Sequence, residues 1–449
     1  MKKNIYSLTT TIVAILFSSL TFAQGYDKCG YNAMVEYNEL LSPGYKQHIE
    51  DNYQSLLERS RHNNGERAAT IYTIPVVFHV VWNSSSPEQN LSDSVLLEQI
   101  VALNEDYSRT NIDAANTRAD FDSIAASADV QFQLACVDPN GNATDGIVRV
   151  ETTTLFGGGL FPDMASISQI QYAVSGGSEA WDTDSYLNIW IGDINGGGTP
   201  SLLGIATPPP NLANWPANST PVELSDGAII QYNAFGRNNP NPLDIGGGSL
   251  VVNGRTVTHE VGHYLGVRHT AENTFGGLLG SICGDDDVVE DTPNSDQSQQ
   301  GCDMSRNSCP DAIGSYGDLP DMVENYMDYS DSDCQNSFTL GQVAIIRAVL
   351  VDERLGLLNS GGLAACTTGM EETDEAGNVN LYPNPNTGRF SVEAPDADQI
   401  QIINSVGQIV QQVSIKNTPS ASFSLKEKGV YFIRIYSEDN TITKKLVVQ

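Results

Sequence analysis

The sequence predicts two folds in series, an α+β domain followed by a small all-β sandwich. Three observations carry this reading. Runs of β-branched and aromatic residues, with one helical stretch among them, recur as far as residue 232; a cysteine-bearing, irregular half follows. Beyond residue 378, short alternating strands are separated by turns at Asn384-Pro385-Asn386-Thr387-Gly388, Asn404 to Gly407 and Lys428-Gly429. The charge also breaks there. The chain carries −32, yet residues 378–449 hold seven Lys and Arg against six Asp and Glu, so the acidity belongs to the first 377 residues.

Taken in order, residues 1–23 read as a secretory signal. Lys2 and Lys3 precede an apolar core centred on Ile12 to Phe17, and Thr21-Phe22-Ala23 suits cleavage before Gln24. Residues 24–69 are polar and helix-permissive, with basic residues at Arg59, Arg61 and Arg67 and an exposed turn at Asn63-Asn64-Gly65. They read as a removable pro-segment or, alternatively, a loose N-terminal arm. The α+β domain then spans residues 70–358. Ile74 to Trp82 is a buried strand, and Ser92 caps a helix to Tyr107 with Val95, Leu96, Ile100 and Leu103 on one face. Val130 to Val137, Tyr186 to Ile191 and Gly227 to Tyr232 are further strands, separated by glycine-rich loops at 157–159 and 196–198. Helices are expected over Val257 to Leu265 and Phe338 to Glu353. Residues 359–377 form a polar linker to the sandwich at 378–449.

One stretch carries chemistry. His259-Glu260-Val261-Gly262-His263-Tyr264-Leu265-Gly266-Val267-Arg268-His269 reads H-E-x-x-H-x-x-G-x-x-H. His259 and His263 share one helix face a turn apart, a spacing at which two imidazoles bind one zinc ion. Glu260 is placed beside a metal-held water as general base. Gly266 lets the backbone leave the helix, and His269 returns as a third ligand. Three protein ligands leave a fourth position open, the catalytic rather than the structural pattern. Only six histidines occur in 449 residues, and three lie here. Chance produces such a match in roughly one chain in 10^5.

The eleven residues are the metzincin signature, and Asn325-Tyr326-Met327-Asp328-Tyr329 resembles the methionine turn of that clan. The four-cysteine segment after His269 resembles the pappalysin family, over residues 70–358. The resemblance implies a twisted mixed sheet with an active-site helix and a closing helix, and a zinc endopeptidase acting on proteins. It also implies His259, His263 and His269 as zinc ligands, Glu260 as base and then acid, Met327 as floor of the site and Tyr329 as oxyanion donor. Carried over, the disulfides are Cys283–Cys309 and Cys302–Cys334, although four cysteines allow three pairings. Structural calcium is implied at Asp287, Thr292 and Asp296, in an acidic loop that is otherwise simply solvated. Cys29-Gly30 resembles the element whose thiolate occupies the fourth zinc position in a zymogen. An inert thiol or a disulfide to Cys136 or Cys366 stays open, as does a bond between those two. The family favours arginine after the scissile bond. Asp331 and Asp333 are candidates for that pocket, but Ser332 stands where the acid is expected.

The C-terminal module has its own resemblance. Leu381-Tyr382-Pro383-Asn384-Pro385, Lys428-Gly429-Val430-Tyr431 and Lys444-Lys445-Leu446 look like the sorting domain of the type IX secretion system. That implies contact with secretion machinery, export through the periplasm and outer membrane, and a secreted or cell-surface protein; a carbohydrate- or protein-binding sandwich is the alternative. The charge of −32 argues against nucleic acid as a partner, and no stretch approaches a transmembrane span. A surface adhesin with a structural metal and a zinc amidase of cell-wall peptides are the rival readings.

Overall fold

The computed structural model describes residues 27–63, 70–158, 163–209, 224–245, 248–270, 283, 287–296, 301–311, 316–364 and, with short gaps, 379–448. The signal at 1–23 and most of the predicted linker lie outside these. The chain divides into two compact units, residues 1–367 and 368–449.

The first unit is built on a seven-stranded sheet. Its centre is β2, Tyr72–Asn83, preceded in sequence by β1, Asp27–Cys29, and two arm helices, α1, Tyr31–Leu41, and α2, Tyr45–Asn63. The run Val76, Val77, Phe78 and Val80 is fully buried, as expected of a strand covered on both faces. Helix α3, Asp93–Tyr107, follows, then β3, Val130–Leu134, and β4, Ile147–Thr152. Both pair parallel with β2, β3 along its first half and β4 along its second. On the other side of β2 come β5, Leu187–Gly192, and β7, Ala228–Gln231, both parallel; β6, Leu202–Ala206, lies beyond β7 and runs antiparallel to it. The arm strand β1 closes the edge, pairing parallel with β6.

Helix α4, Arg255–Tyr264, and helix α5, Leu340–Val351, pack on this sheet with α3. Their expected bounds shift at both ends. Phe338 and Thr339 pair with Ala125 and Ala126 as a short bridge, and Thr339 then caps α5 in a reciprocal box with Gln342. Ser92 occupies the capping position of α3, but its hydroxyl turns to Ser94.

Residues 27–63 are a packed arm. Tyr53, Leu56 and Leu57 of α2 join the same core as Val343, Ile346 and Leu350 of α5. Burying each such side chain contributes about 1.5–3 kcal/mol. The body also runs past its expected end at 358. Residues 361–363 form a turn whose Gly362 carbonyl accepts the N–H groups of Cys136 and Val137.

The second unit holds a three-stranded sheet, Asn380–Tyr382, Arg389–Glu393 and Ser420–Ser424, and a four-stranded sheet, Ile409–Ser414, Gln399–Asn404, Gly429–Tyr436 and Thr441–Val448, all antiparallel. Phe390, Val392, Ile400, Ile402, Ile433, Ile435 and Leu446 form their common core. Gly388 closes the Asn-Pro-Asn-Thr-Gly turn at φ +99°, where a Cβ would stand 2.4 Å from the Leu425 carbonyl oxygen.

Candidate metal centre

Helix α4 begins at Gly254, whose carbonyl accepts from the Gln99 amide of α3 at 3.1 Å. It ends in a tight glycine cap. Gly266 sits at φ +87°, with Gly266 N–H donating to the His263 carbonyl and Val267 N–H to the Gly262 carbonyl, both at 2.9 Å. That exit returns His269 to the helix face. His269 Nε2 lies 2.9 Å from His263 Nε2 and 3.2 Å from His259 Nε2. His259 Nδ1 is bonded to the Tyr326 carbonyl at 2.7 Å and His263 Nδ1 to the Val267 carbonyl at 2.8 Å. A carbonyl only accepts, so each of these Nδ1 atoms carries the proton and each Nε2 is a lone pair. Burial pushes His259 down to about 4 and, with the neighbouring imidazoles, His263 well below its ordinary value. The rings are therefore neutral at physiological pH. Two of the three converging nitrogens are thus lone pairs turned toward His269 Nε2, and neutral imidazole nitrogens are the donors zinc takes. The donor set fits the expected metal.

Glu260 is fully buried beside the same centre, beneath strand β6. A Cβ at Gly204 would stand 2.6 Å from Glu260 Cγ, so glycine at this position of β6 makes room for the carboxylate. Met327 packs under the helix. A Cβ at Gly262 would stand 2.5 Å from Met327 Sδ, which explains the glycine between the two helical histidines. The Asn325 side chain accepts from Met327 N–H at 2.9 Å and donates to Gln342 of α5 at 2.9 Å, tying the turn to the closing helix. The Tyr329 ring stands 4.9 Å from the His269 ring.

Sequence reasoning missed the support beneath. Asp106, fully enclosed, accepts from Tyr326 Oη at 3.1 Å and Thr258 Oγ1 at 2.7 Å and pairs with Arg255 Nε at 3.0 Å. It thus joins α3, α4 and the methionine turn, and the Tyr326 carbonyl holds His259. Burial pushes Asp106 up to about 6. Its signal was legible: an acid three residues after Leu103, on the apolar face of a helix.

The arm reaches into the centre. Cys29 is buried, and its Sγ and the three histidine nitrogens lie within 4.8 Å of one another. Its thiol also approaches Glu260 Oε2 at 3.6 Å. The Tyr31 ring stacks on His263 with centroids 4.5 Å apart, and Tyr329 Oη lies 3.5 Å from the Cys29 carbonyl. On the other side, Lys28 Nζ donates to the Tyr329 and Ser330 carbonyls and meets Asp331 at 3.4 Å. Asp333 contributes charge at longer range.

Cysteines 283 and 309 are bonded, as are 302 and 334, the second pair bracing the turn that bears Asp331. Cys136 is disulfide-bonded, while Cys366 lies outside the described residues. The three expected calcium ligands separate into two environments. Thr292 Oγ1 donates to Asp287 Oδ1 at 2.6 Å, whereas Asp296 pairs with Arg306.

The comparisons agree with this geometry. Residues 174–351 match the pregnancy-associated plasma protein-A peptidase family (M43), and residues 380–449 match the secretion system C-terminal sorting domain. An extracellular metalloprotease of Arthroderma benhamiae is 33% identical over 273 residues, covering 60% of this chain and 74% of that one. Extracellular metalloprotease 1 of Coccidioides posadasii is 30% identical over 271 residues, covering 60% and 73%. Among solved structures, a promirolysin variant of Tannerella forsythia matches with TM-score 0.57 and 33% identity, covering 76% of this chain and 99% of that one. Mature mirolysin of the same organism, in complex with a cleaved peptide, matches with TM-score 0.51 and 37% identity, covering 66% and 98%. Among the described residues no helix is long and apolar enough to cross a membrane. The chain belongs to the pregnancy-associated plasma protein-A family of metallopeptidases, the pappalysin branch of the metzincins, and is a secreted metalloendopeptidase with a type IX secretion sorting domain.

Proposed function

We propose that the chain is a zinc-dependent endopeptidase made as a zymogen, cleaving protein substrates before a basic residue. The convergence of three imidazole Nε2 atoms beside a buried carboxylate carries this reading. His259, His263 and His269 would hold the zinc, which supplies a Lewis acid toward water and the scissile carbonyl. Glu260 takes the proton of the attacking water and returns it to the leaving amine. Tyr329 donates its phenol hydrogen to the developing oxyanion. The Tyr326 and Val267 carbonyls fix the two helical imidazoles, so the ligand set is ready before substrate arrives.

Latency rests on Cys29. A thiolate is a strong zinc ligand, and here the sulfur stands with the three histidines. Residues 24–69 would be the removable pro-segment and 1–23 the signal. The wider match to promirolysin than to mature mirolysin supports a pro-segment of the same kind. Arg59 pairs with Asp352 and Glu353, which points to the arginines beyond it for release. Lys28 in the hollow beside Asp331 supports a basic side chain after the scissile bond. Calcium at Asp287 and Thr292 would recruit Asp296 by displacing Arg306.

The test is cleavage of a peptide library by processed protein before and after chelation. Expected are cleavage before basic residues, its loss on chelation and its return with zinc. Cleavage indifferent to chelation sinks the reading. Calcium titration of the zinc-loaded protein tests the second ion: an unchanged melting temperature removes it.

A further inference from the structure

The hollow that takes Lys28 lies between Leu203, Leu243, Leu250 and Val252 on one side and the turn from Asp328 to Asp333 on the other. Lys28 lines this hollow, and its nitrogen reaches the turn. There Nζ finds three acceptors: the Tyr329 carbonyl at 2.5 Å, the Ser330 carbonyl at 2.6 Å and Asp331 Oδ1 at 3.4 Å. Two are neutral and one is charged, and all three meet a single atom.

That pattern separates the two basic side chains. An ammonium carries three N–H donors on one nitrogen, so converging acceptors satisfy it. A guanidinium spreads five donors over a flat fork and is best met by a carboxylate offering both oxygens in its plane. Asp331 offers one oxygen, from a side chain about a third exposed. Position 332, where the family resemblance places an acid, is serine. The buried Asp328 spends its oxygens inward, Oδ2 on Ser330 N–H at 3.0 Å and Oδ1 on Thr270 at 3.3 Å, and lends the pocket field rather than a fork. Desolvation lowers Lys28, and Asp331, Asp328 and Asp333 oppose that shift.

From the converging acceptors and the serine at 332 we infer that the enzyme selects lysine over arginine immediately after the scissile bond. The inference rests on the reading that this hollow receives the residue following that bond. Asp331 is its charged partner, the Tyr329 and Ser330 carbonyls complete the ammonium cage, and Ser332 withholds the fork that arginine needs.

The experiment uses the processed enzyme and three internally quenched peptides, identical except for Lys, Arg or Gln after the scissile bond. The Lys peptide is expected to exceed the Arg peptide about tenfold in kcat/KM, and both to exceed Gln. Arg equal to or above Lys overturns the inference and leaves the basic pocket standing. Gln equal to Lys overturns the inference together with the reading beneath it. A second measurement uses Ser332→Asp, expected to raise kcat/KM for the Arg peptide and to narrow or reverse the ratio. A ratio unmoved by that change overturns the role given to Ser332.

Discussion

The cleft has two linings, and they are made differently. Residues 255–269 and 325–329 form one, locked from within the body: His259 and His263 are oriented by backbone carbonyls, and Asp106 and Gln342 brace the turn below. Residues 28–31 form the other, contributed by a three-residue strand and the first residue of α1. The arm fills the space around the three imidazoles with a thiol, an ammonium and a ring. On the zymogen reading proposed above, a lining that owes its geometry to the body would be finished before the arm leaves. Activation would then require removal rather than rearrangement.

Glu260→Ala gives the largest expected effect on the body lining. Turnover should fall by about 10^3-fold or more while metal content and melting temperature stay near wild type. Residual cleavage near the wild-type rate would remove the carboxylate from the mechanism. On the arm lining, Cys29→Ala should let the unprocessed chain cleave peptides, a gain of an order of magnitude or more over the intact proenzyme. An unprocessed variant that stays silent would show the sulfur to be a bystander and move latency to Lys28 and Tyr31. Gly262→Val drives a side chain into Met327 and should destabilise the body by about 2–3 kcal/mol in denaturant titration, with the arm still attached. Unchanged stability would show that the floor yields.

The last effect appears only in acid and belongs to His79 of β2, bonded to Ser178 at 2.8 Å and Asn188 at 2.9 Å and stacked on Trp190. Burial pushes this imidazole down from 6.5 to about 4. The folded protein thus binds fewer protons there than the unfolded chain. The stabilising contribution is complete above pH 6.5 and is lost as pH falls toward 4, at about 1.4 kcal/mol per pH unit. His79→Gln should show a shallower acid slope over that window; equal slopes would show that the ring titrates normally.

What was legible in the sequence follows from range. β2 and the H-E-x-x-H helix announce themselves because strand composition and ligand spacing are local, and Gly266 marks its own helix exit. The arm was harder. β1 has three residues and pairs with a strand over 170 positions away, and no local pattern encodes a partner at that distance. β6 was passed over because Leu202–Ala206 is brief and interrupted by Gly204, a residue explained only by the carboxylate below it. Helices α1 and α2 were masked by polarity, since only one face of each meets the body. The acidic loop was less legible: Asp287 and Thr292 are hydrogen-bonded to each other, while Asp296 pairs with Arg306, a partner ten residues further on.

Strand β6 has a further consequence. Its outer edge is taken by β1, with Gly30 N–H donating to the Gly204 carbonyl at 2.8 Å. An uncovered edge strand is a template for any other extended chain, including another copy of the same protein. If the arm is the pro-segment proposed above, it would also be a solubility device: it would keep the sheet closed during export and yield that edge when extended substrate chains are at hand to cover it.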